Sequence, residues 1–252
     1  MEYNKIIDLS KSYLFCQIQK SKNPNLNKGN SEKYLPFITI SREAGSGESR
    51  ISESLADYLS KNAGEKNRPW TSFDKDLIKK VVEDYHVSGI TGLLPEEKFS
   101  EIQTMFEELF GLHPTKREMA HNLSKTILNL AKMGNTIIVG RGAFYITRHL
   151  ASGLHIRLIG SKTRRIKHMV EEYQMTLKQA DEYIKKEDKE RYEYVKKLFG
   201  VDINDPHYYD LVINTDELPF NDIVRIIAGE VSRLKNRLNL LSIAESSHFK
   251  AV

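Results

Sequence analysis

The apolar run Phe37-Ile-Thr-Ile40 leads through Ser41-Arg42-Glu43-Ala44 into Gly45-Ser46-Gly47, and a helical apolar repeat then opens at Ile51, Leu55, Ala56, Tyr58 and Leu59. Nothing else in the chain limits its fold as strongly. A short, uninterrupted apolar strand suits a parallel sheet buried on both faces. Small residues directly after it let the backbone approach a bound group closely. The following helix aims its unpaired first-turn N–H groups and the positive end of its dipole at the turn. Strand, turn and helix together favour a phosphate there. An ordinary strand-to-helix turn has the same outline, so the surroundings decide.

Those surroundings repeat the alternation. Trp70 to Phe73, Thr136-Ile-Ile-Val-Gly140, Leu154-His-Ile-Arg-Leu-Ile159 and Tyr209-Asp-Leu-Val-Ile-Asn214 read as further strands. Helical patterns separate them. Asp74 suits an N-cap for Leu77, Ile78, Val81 and Val82, and residues 95–133 read as helical with a break at 111–114. Ser161 suits the cap of a basic helix. Thr176 and Gln179 have capping-box spacing, opening a long charged helix that Gly200 closes. Pro219 starts a final amphipathic helix. The expected class is therefore α/β: a parallel five-stranded sheet with helices on both faces and ligands at the carboxyl ends of the strands. Residues 1–33 read as an N-terminal helix and linker, 34–240 as the domain, and 241–252 as a flexible tail.

A chain of 252 residues with 40% apolar and 29% charged residues fits one sizeable soluble domain. The net charge of +4 is a mild excess, with acids and bases interspersed, and basic residues do not interleave with aromatic ones. That pattern argues against a nucleic-acid partner. No segment has the apolar length to span a bilayer, and no signal-peptide core follows the polar start, so no membrane partner is expected. Cys16 is the single cysteine, which excludes an intrachain disulfide and fits a cytoplasmic location. The eight histidines are scattered, so no protein metal site is expected. No Gly-x-Ser-x-Gly turn points to covalent catalysis.

Four segments in order carry a resemblance: Ile40-Ser-Arg-Glu-Ala-Gly-Ser-Gly47, Phe73-Asp-Lys-Asp-Leu-Ile78, Gly140-Arg-Gly142, and Tyr209-Asp-Leu-Val-Ile-Asn-Thr-Asp216. Together they resemble the cytidylate kinase-like family of P-loop proteins, from about Pro36 to Ala228. The resemblance implies a P-loop NTPase fold with a helical lid, nucleotide substrates, and ATP with Mg2+. It implies that Gly45, Ser46, Gly47, Glu48, Ser49, Arg50 and Arg165 bind the nucleotide cofactor. Cytidylate kinases place a lysine after the Gly-Ser-Gly and a metal-binding hydroxyl shortly beyond; here Glu48 and Arg50 stand in those slots. Losing one such transition-state charge contact costs about 3–4 kcal/mol, on the order of a hundred- to a thousand-fold in rate. Arg42 and Arg50, on either side of the loop, are candidates to replace it.

On the acceptor side the resemblance implies roles for Asp74, Lys75, Lys80 and Arg141. Cytidylate kinases generally carry Gly-Arg-Asp where this chain has Gly140-Arg-Gly142, and that aspartate helps read the base. The pattern Asp188-Lys-Glu-Arg191 resembles the lid's Asp-x-x-Arg, which implies Asp188 at the substrate and Arg191 on the phosphates after closure. Catalysis would then fall to Arg42, Arg50, Arg141 and Arg191. The implied activity is transfer of the ATP γ-phosphoryl group to a nucleoside monophosphate, with CMP or dCMP the first candidate. The rival expectation, resting on Glu48, is a nucleotide-binding regulator without transfer. The N-terminal helix is expected either to dock on the domain or to pair with a second copy.

Overall fold

In β1 (Phe37–Arg42) five of six residues are buried, as a central strand covered on both faces requires. The computed structural model describes residues 35–62, 69–74 and 114–248. After β1 come α1 (Glu48–Asn62), β2 (Thr71–Phe73), α2 (Pro114–Met133), β3 (Thr136–Val139), the short α3 (Ala143–Ile146) and β4 (Gly153–Ile159). The lid hairpin α4 (Lys162–Tyr173) and α5 (Leu177–Phe199) follows, then a 3-10 turn at Pro206–Tyr208, β5 (Leu211–Asn214) and α6 (Phe220–His248). The five strands lie in the order β2-β3-β1-β4-β5 and every pairing is parallel. The connection from β3 to β4 passes over β1, so the order reverses at β1, and the carboxyl ends of β1, β3 and β4 bound a crevice.

Strand alternation splits the core in two. Ile38, Ile40, Ile137, Val139, Leu154, Ile156 and Leu158 face α1 and α6, where Ile51, Leu55 and Leu59 repeat every fourth residue. Phe37, Phe73 and Ile138 face the other way, onto Ile127, Phe144, Val195 and Phe199 of α2, α3 and α5. This second face also carries polar cross-strand rungs. Thr39 pairs in register with His155 and Ser41 with Arg157, and Thr39 Oγ1 lies 2.8 Å from His155 Nδ1.

The caps act as the sequence expects. The Ser161 side chain accepts from the Arg164 N–H. Thr176 and Gln179 form a complete capping box, and Gly200 closes α5 with φ 72°. The outward face of α5 carries i,i+4 ion pairs such as Lys185–Asp181 and Lys189–Glu193, so that face is a solvated one. Some boundaries differ. Tyr209 closes the 3-10 turn and Asp210 accepts from the His155 N–H (2.7 Å), so β5 begins at Leu211 instead of Tyr209. Helix α6 continues past Leu241 to His248, because the stretch holds no glycine or proline to stop it. The short helix α3 was not expected. The N-terminal helix, the linker, Cys16, the helix after Asp74 and the segment 95–113 lie outside the described residues.

Burial lowers the pKa of His155 below its ordinary value, and the neighbouring Asp210 only partly opposes it. The unfolded chain therefore takes up a proton that the folded one resists, and stability falls as pH drops below about 6.5. Urea unfolding at pH 7 and pH 5 should show a smaller loss for His155→Asn than for the wild type.

Candidate functional site

The loop after β1 is held by its own backbone before any ligand is considered. Gly45 and Gly47 take φ of 79° and 84°, which L side chains rarely adopt. A Cβ on Gly45 would lie 2.9 Å from the Arg165 carbonyl oxygen, and one on Gly47 2.7 Å from the Phe220 ring. The buried Ser46 donates its hydroxyl to the Glu43 carbonyl at 2.8 Å. The N–H of Ile51 makes the first bond of α1, to Gly47 O at 3.0 Å. The N–H groups of Glu48, Ser49 and Arg50 are therefore the open donors of the first turn. Ser49 itself is exposed beside them.

A cavity of about 170 Å3 opens next to this loop. Three arginines line it from three elements: Arg42 ends β1, Arg141 follows β3, and Arg191 projects from α5. Its other walls include Ser41, Phe144, Tyr194, Val195 and Ile203. Arg141 takes φ 55° and lies 5.9 Å from the centre of the Tyr194 ring. Burial raises the Tyr194 phenol above its usual pKa, against the opposing effect of Arg141. Behind the wall, the buried Arg157 donates to Ser41 Oγ (2.9 Å) and to Asn204 Oδ1 (2.6 Å), while the Tyr209 hydroxyl donates to the Ile203 carbonyl (2.8 Å).

Glu48 occupies the middle of the arginine group. The Arg42 Nε donates to Glu48 Oε1 at 3.2 Å, and Arg191 Nη2 lies 3.7 Å from the same oxygen. Arg191 also donates to Glu187 Oε2 at 3.1 Å and to the Arg42 carbonyl at 3.4 Å. Burial, followed by the positive charge of Arg191, lowers the pKa of Arg42, and Glu48 works against both. Arg42, Arg141 and Arg191 thus line one cavity.

Arg50 does not. It sits on the first turn of α1 where the helix directs its side chain outward, 4.8 Å over the Phe220 ring and 3.5 Å from Glu172. It faces away from the cavity and cannot replace a charge there. Arg165 and Asp188 are likewise committed to the framework. Arg165 donates to Gly160 O (3.0 Å), to Ala44 O (3.0 Å) and to Asp188 Oδ2 (2.6 Å). Asp188 Oδ1 accepts from the Ala44 N–H at 2.7 Å, and Glu43 Oε2 accepts from the Gly160 N–H at 2.9 Å. The pair fastens loop, β4 and lid together instead of facing the cavity. The sequence shows only that Arg165 and Asp188 lie one on each lid helix; no local pattern joins them. Asp74 is exposed just after β2, and Lys75 and Lys80 lie outside the described residues. Sequence reasoning also missed Ser41, Arg157 and Glu187, whose placement depends on strand register and lid docking.

At Gly142 the structure explains a departure from the family pattern. The residue has φ 68°, and a Cβ would lie 2.2 Å from the Phe199 ring. An aspartate there would have to displace the Phe199 ring and hold a positive φ, so glycine fits this position best as the ring now lies. Among the described residues no three His, Cys, Asp or Glu side chains group into a metal cage.

Removing Arg165 leaves Asp188 and the Ala44 and Gly160 carbonyls without their partner in a largely buried place. Arg165→Ala should cost about 3–5 kcal/mol in urea unfolding, whereas Arg50→Ala should stay within about 0.5 kcal/mol of wild type.

The model of the Cytidylate kinase-like family matches residues 37–217. The cytidylate kinase of Pyrococcus horikoshii is 26% identical over 163 residues, covering 63% of this chain and 82% of that protein. The cytidylate kinase of Thermococcus kodakarensis is 25% identical over 197 residues, covering 78% and 88%. In fold, the chain is similar to the crystal structure of an uncharacterized protein from Eubacterium ventriosum, with a TM-score of 0.61 at 20% identity over 79% of this chain and 99% of that one. Parallel sheet, glycine loop, lid hairpin and a family match across most of the domain agree: the chain belongs to the cytidylate kinase-like family and has the P-loop kinase fold.

Proposed function

We propose that the protein binds ATP at the 45–49 loop and transfers its γ-phosphoryl group to a nucleoside monophosphate, CMP or dCMP being the first candidate. The observation that carries this reading is the convergence of Arg42, Arg141 and Arg191 on one cavity, with Glu48 of the first turn of α1 touching Arg42. Phosphoryl transfer needs little covalent chemistry from a protein; it needs in-line positioning and neutralised phosphate oxygens. Backbone N–H groups of the first turn of α1 would hold the donor phosphates. Arginine forks would hold the oxygens that bear charge in the transition state. The apolar walls Phe144, Val195 and Ile203 suit the less polar part of the acceptor and help exclude water.

Magnesium carried on ATP needs only one or two protein oxygens beside the phosphates. Ser49, exposed at the start of α1, offers such an oxygen. Bound magnesium would supply positive charge that offsets the negative charge of the phosphates. The acceptor base is the finer part of the proposal. It draws on the two cytidylate kinases to which the chain is similar. Gly142 carries no carboxylate, so any base reading here comes from other groups.

Glu48 supports a second reading, a nucleotide-binding regulator that transfers nothing. The test is to incubate the purified protein with ATP, Mg2+ and a panel of nucleoside monophosphates that includes all common bases, and to follow diphosphate formation by chromatography. Diphosphate on the cytidine acceptors is the expected result. ATP binding in calorimetry with no turnover on any acceptor would establish the regulator instead.

A further inference from the structure

We propose that Glu48 is a positioning residue which, with Arg42, transposes the phosphate-binding charge of the loop from its usual place to the end of β1. The proposal rests on the phosphate-binding reading above and says how that site obtains its positive charge. In the general loop pattern, glycine, four residues, glycine, lysine and then serine or threonine, the lysine reaches the β- and γ-phosphates. Laid on this chain, Gly47 is the second glycine and Glu48 the lysine position. The first glycine position then falls on Arg42. At the first-glycine and lysine positions the chain departs from the pattern with opposite charges, and these two side chains touch at 3.2 Å. A cation lost at one end of the loop is supplied at the other, and the acid left in its place holds the new cation.

The mode of contact separates positioning from blockade. A carboxylate imitating a bound phosphate would take the terminal nitrogens of the guanidinium, the fork that grips anions in two parallel bonds. Glu48 takes Nε instead. Among the described residues neither terminal nitrogen of Arg42 has a hydrogen-bond or ion-pair partner, although the side chain is only 14% exposed and lines the cavity. A nearly buried cation with its binding face unused is arranged for an anion that arrives. The fork also has a seat: a Cβ on Gly140 would lie 2.2 Å from Arg42 Nη1, so glycine at the end of β3 gives it room. Arg191 beside Arg42 would repel it, and Glu48 lies between the two and offsets that repulsion.

Inorganic tripolyphosphate, which has no base or sugar, is the probe, titrated calorimetrically into the wild type and four variants: Glu48→Ala, Glu48→Gln, Arg42→Gly and the double variant Arg42→Gly/Glu48→Lys. Melting temperatures are recorded alongside. Removing Glu48 makes the site more positive, so a blocking or merely repulsive carboxylate predicts tighter binding. Positioning predicts the opposite: E48A binds roughly tenfold or more weakly, the scale of one charge-assisted hydrogen bond. E48Q, which keeps an oxygen for Nε, should fall between E48A and wild type. R42G should be weak, and the double variant, with the lysine back in its usual place and no arginine to oppose it, should regain about tenfold over R42G. Tighter or unchanged binding by E48A overturns the proposal, as does a double variant no better than R42G or a wild type that ignores tripolyphosphate. If E48A fails to fold, the comparison of R42G with the double variant decides. Tripolyphosphate binding by the wild type without nucleotide turnover would remove the kinase reading and leave this inference standing.

Discussion

One guanidinium holds the working end of this molecule together. Arg165 reaches from the first turns of α4 to the carbonyls of Ala44 and Gly160 and to the carboxylate of Asp188. Phosphate loop, end of β4 and the long lid helix thus meet at one largely buried charge. Buried ions need partners, and here two carbonyls and a carboxylate hold Nε and Nη1 of Arg165. Because Asp188 also accepts the Ala44 N–H, the loop is gripped through both of that residue's backbone groups. The arrangement of arginines in the cavity presupposes this grip: Arg191 lies one helical turn from Asp188 on the same helix, so anchoring Asp188 sets where Arg191 points.

The cavity arginines divide by how they are used. Arg191 is already engaged by Glu187 and by the Arg42 carbonyl, and Arg141 lies against Tyr194. Arg42 alone among the three is bound through its inner nitrogen, with its outer face towards the cavity. Three arginines thus meet Glu48, Glu187 and Glu190 around one cavity, and the availability of their charge differs from one side chain to the next. A sequence count of arginines cannot register that difference.

Much of the fold was legible because it depends on local chemistry. The β-branched runs at 37–40, 136–139 and 154–159 become strands, and the caps at Ser161, Thr176 and Gly200 act where they stand. The site was legible only where the position in an element dictates direction. Arg42 and Arg141 follow strand ends that must face the crevice. Arg50 and Arg191 are both helical arginines, and which one turns inward depends on how α1 and α5 pack, which no local pattern records. The Ser41–Arg157 rung joins residues 116 positions apart and exists only through the register of β1 with β4. Family resemblance assigned Arg165 and Asp188 to ligands, yet their geometry makes them framework, since the same residue types serve both purposes.

Arg157 has a consequence of its own. It is 4% exposed, its hydrogen bonds among the described residues go to the neutral oxygens of Ser41 and Asn204, and it stands directly behind Ser41 in the cavity wall. Dissolved ions screen charges at a rim far more than charges enclosed by protein. If the cavity takes an anion as proposed, part of the attraction would come from within the sheet and not from the surface, and rising ionic strength would leave that part largely intact.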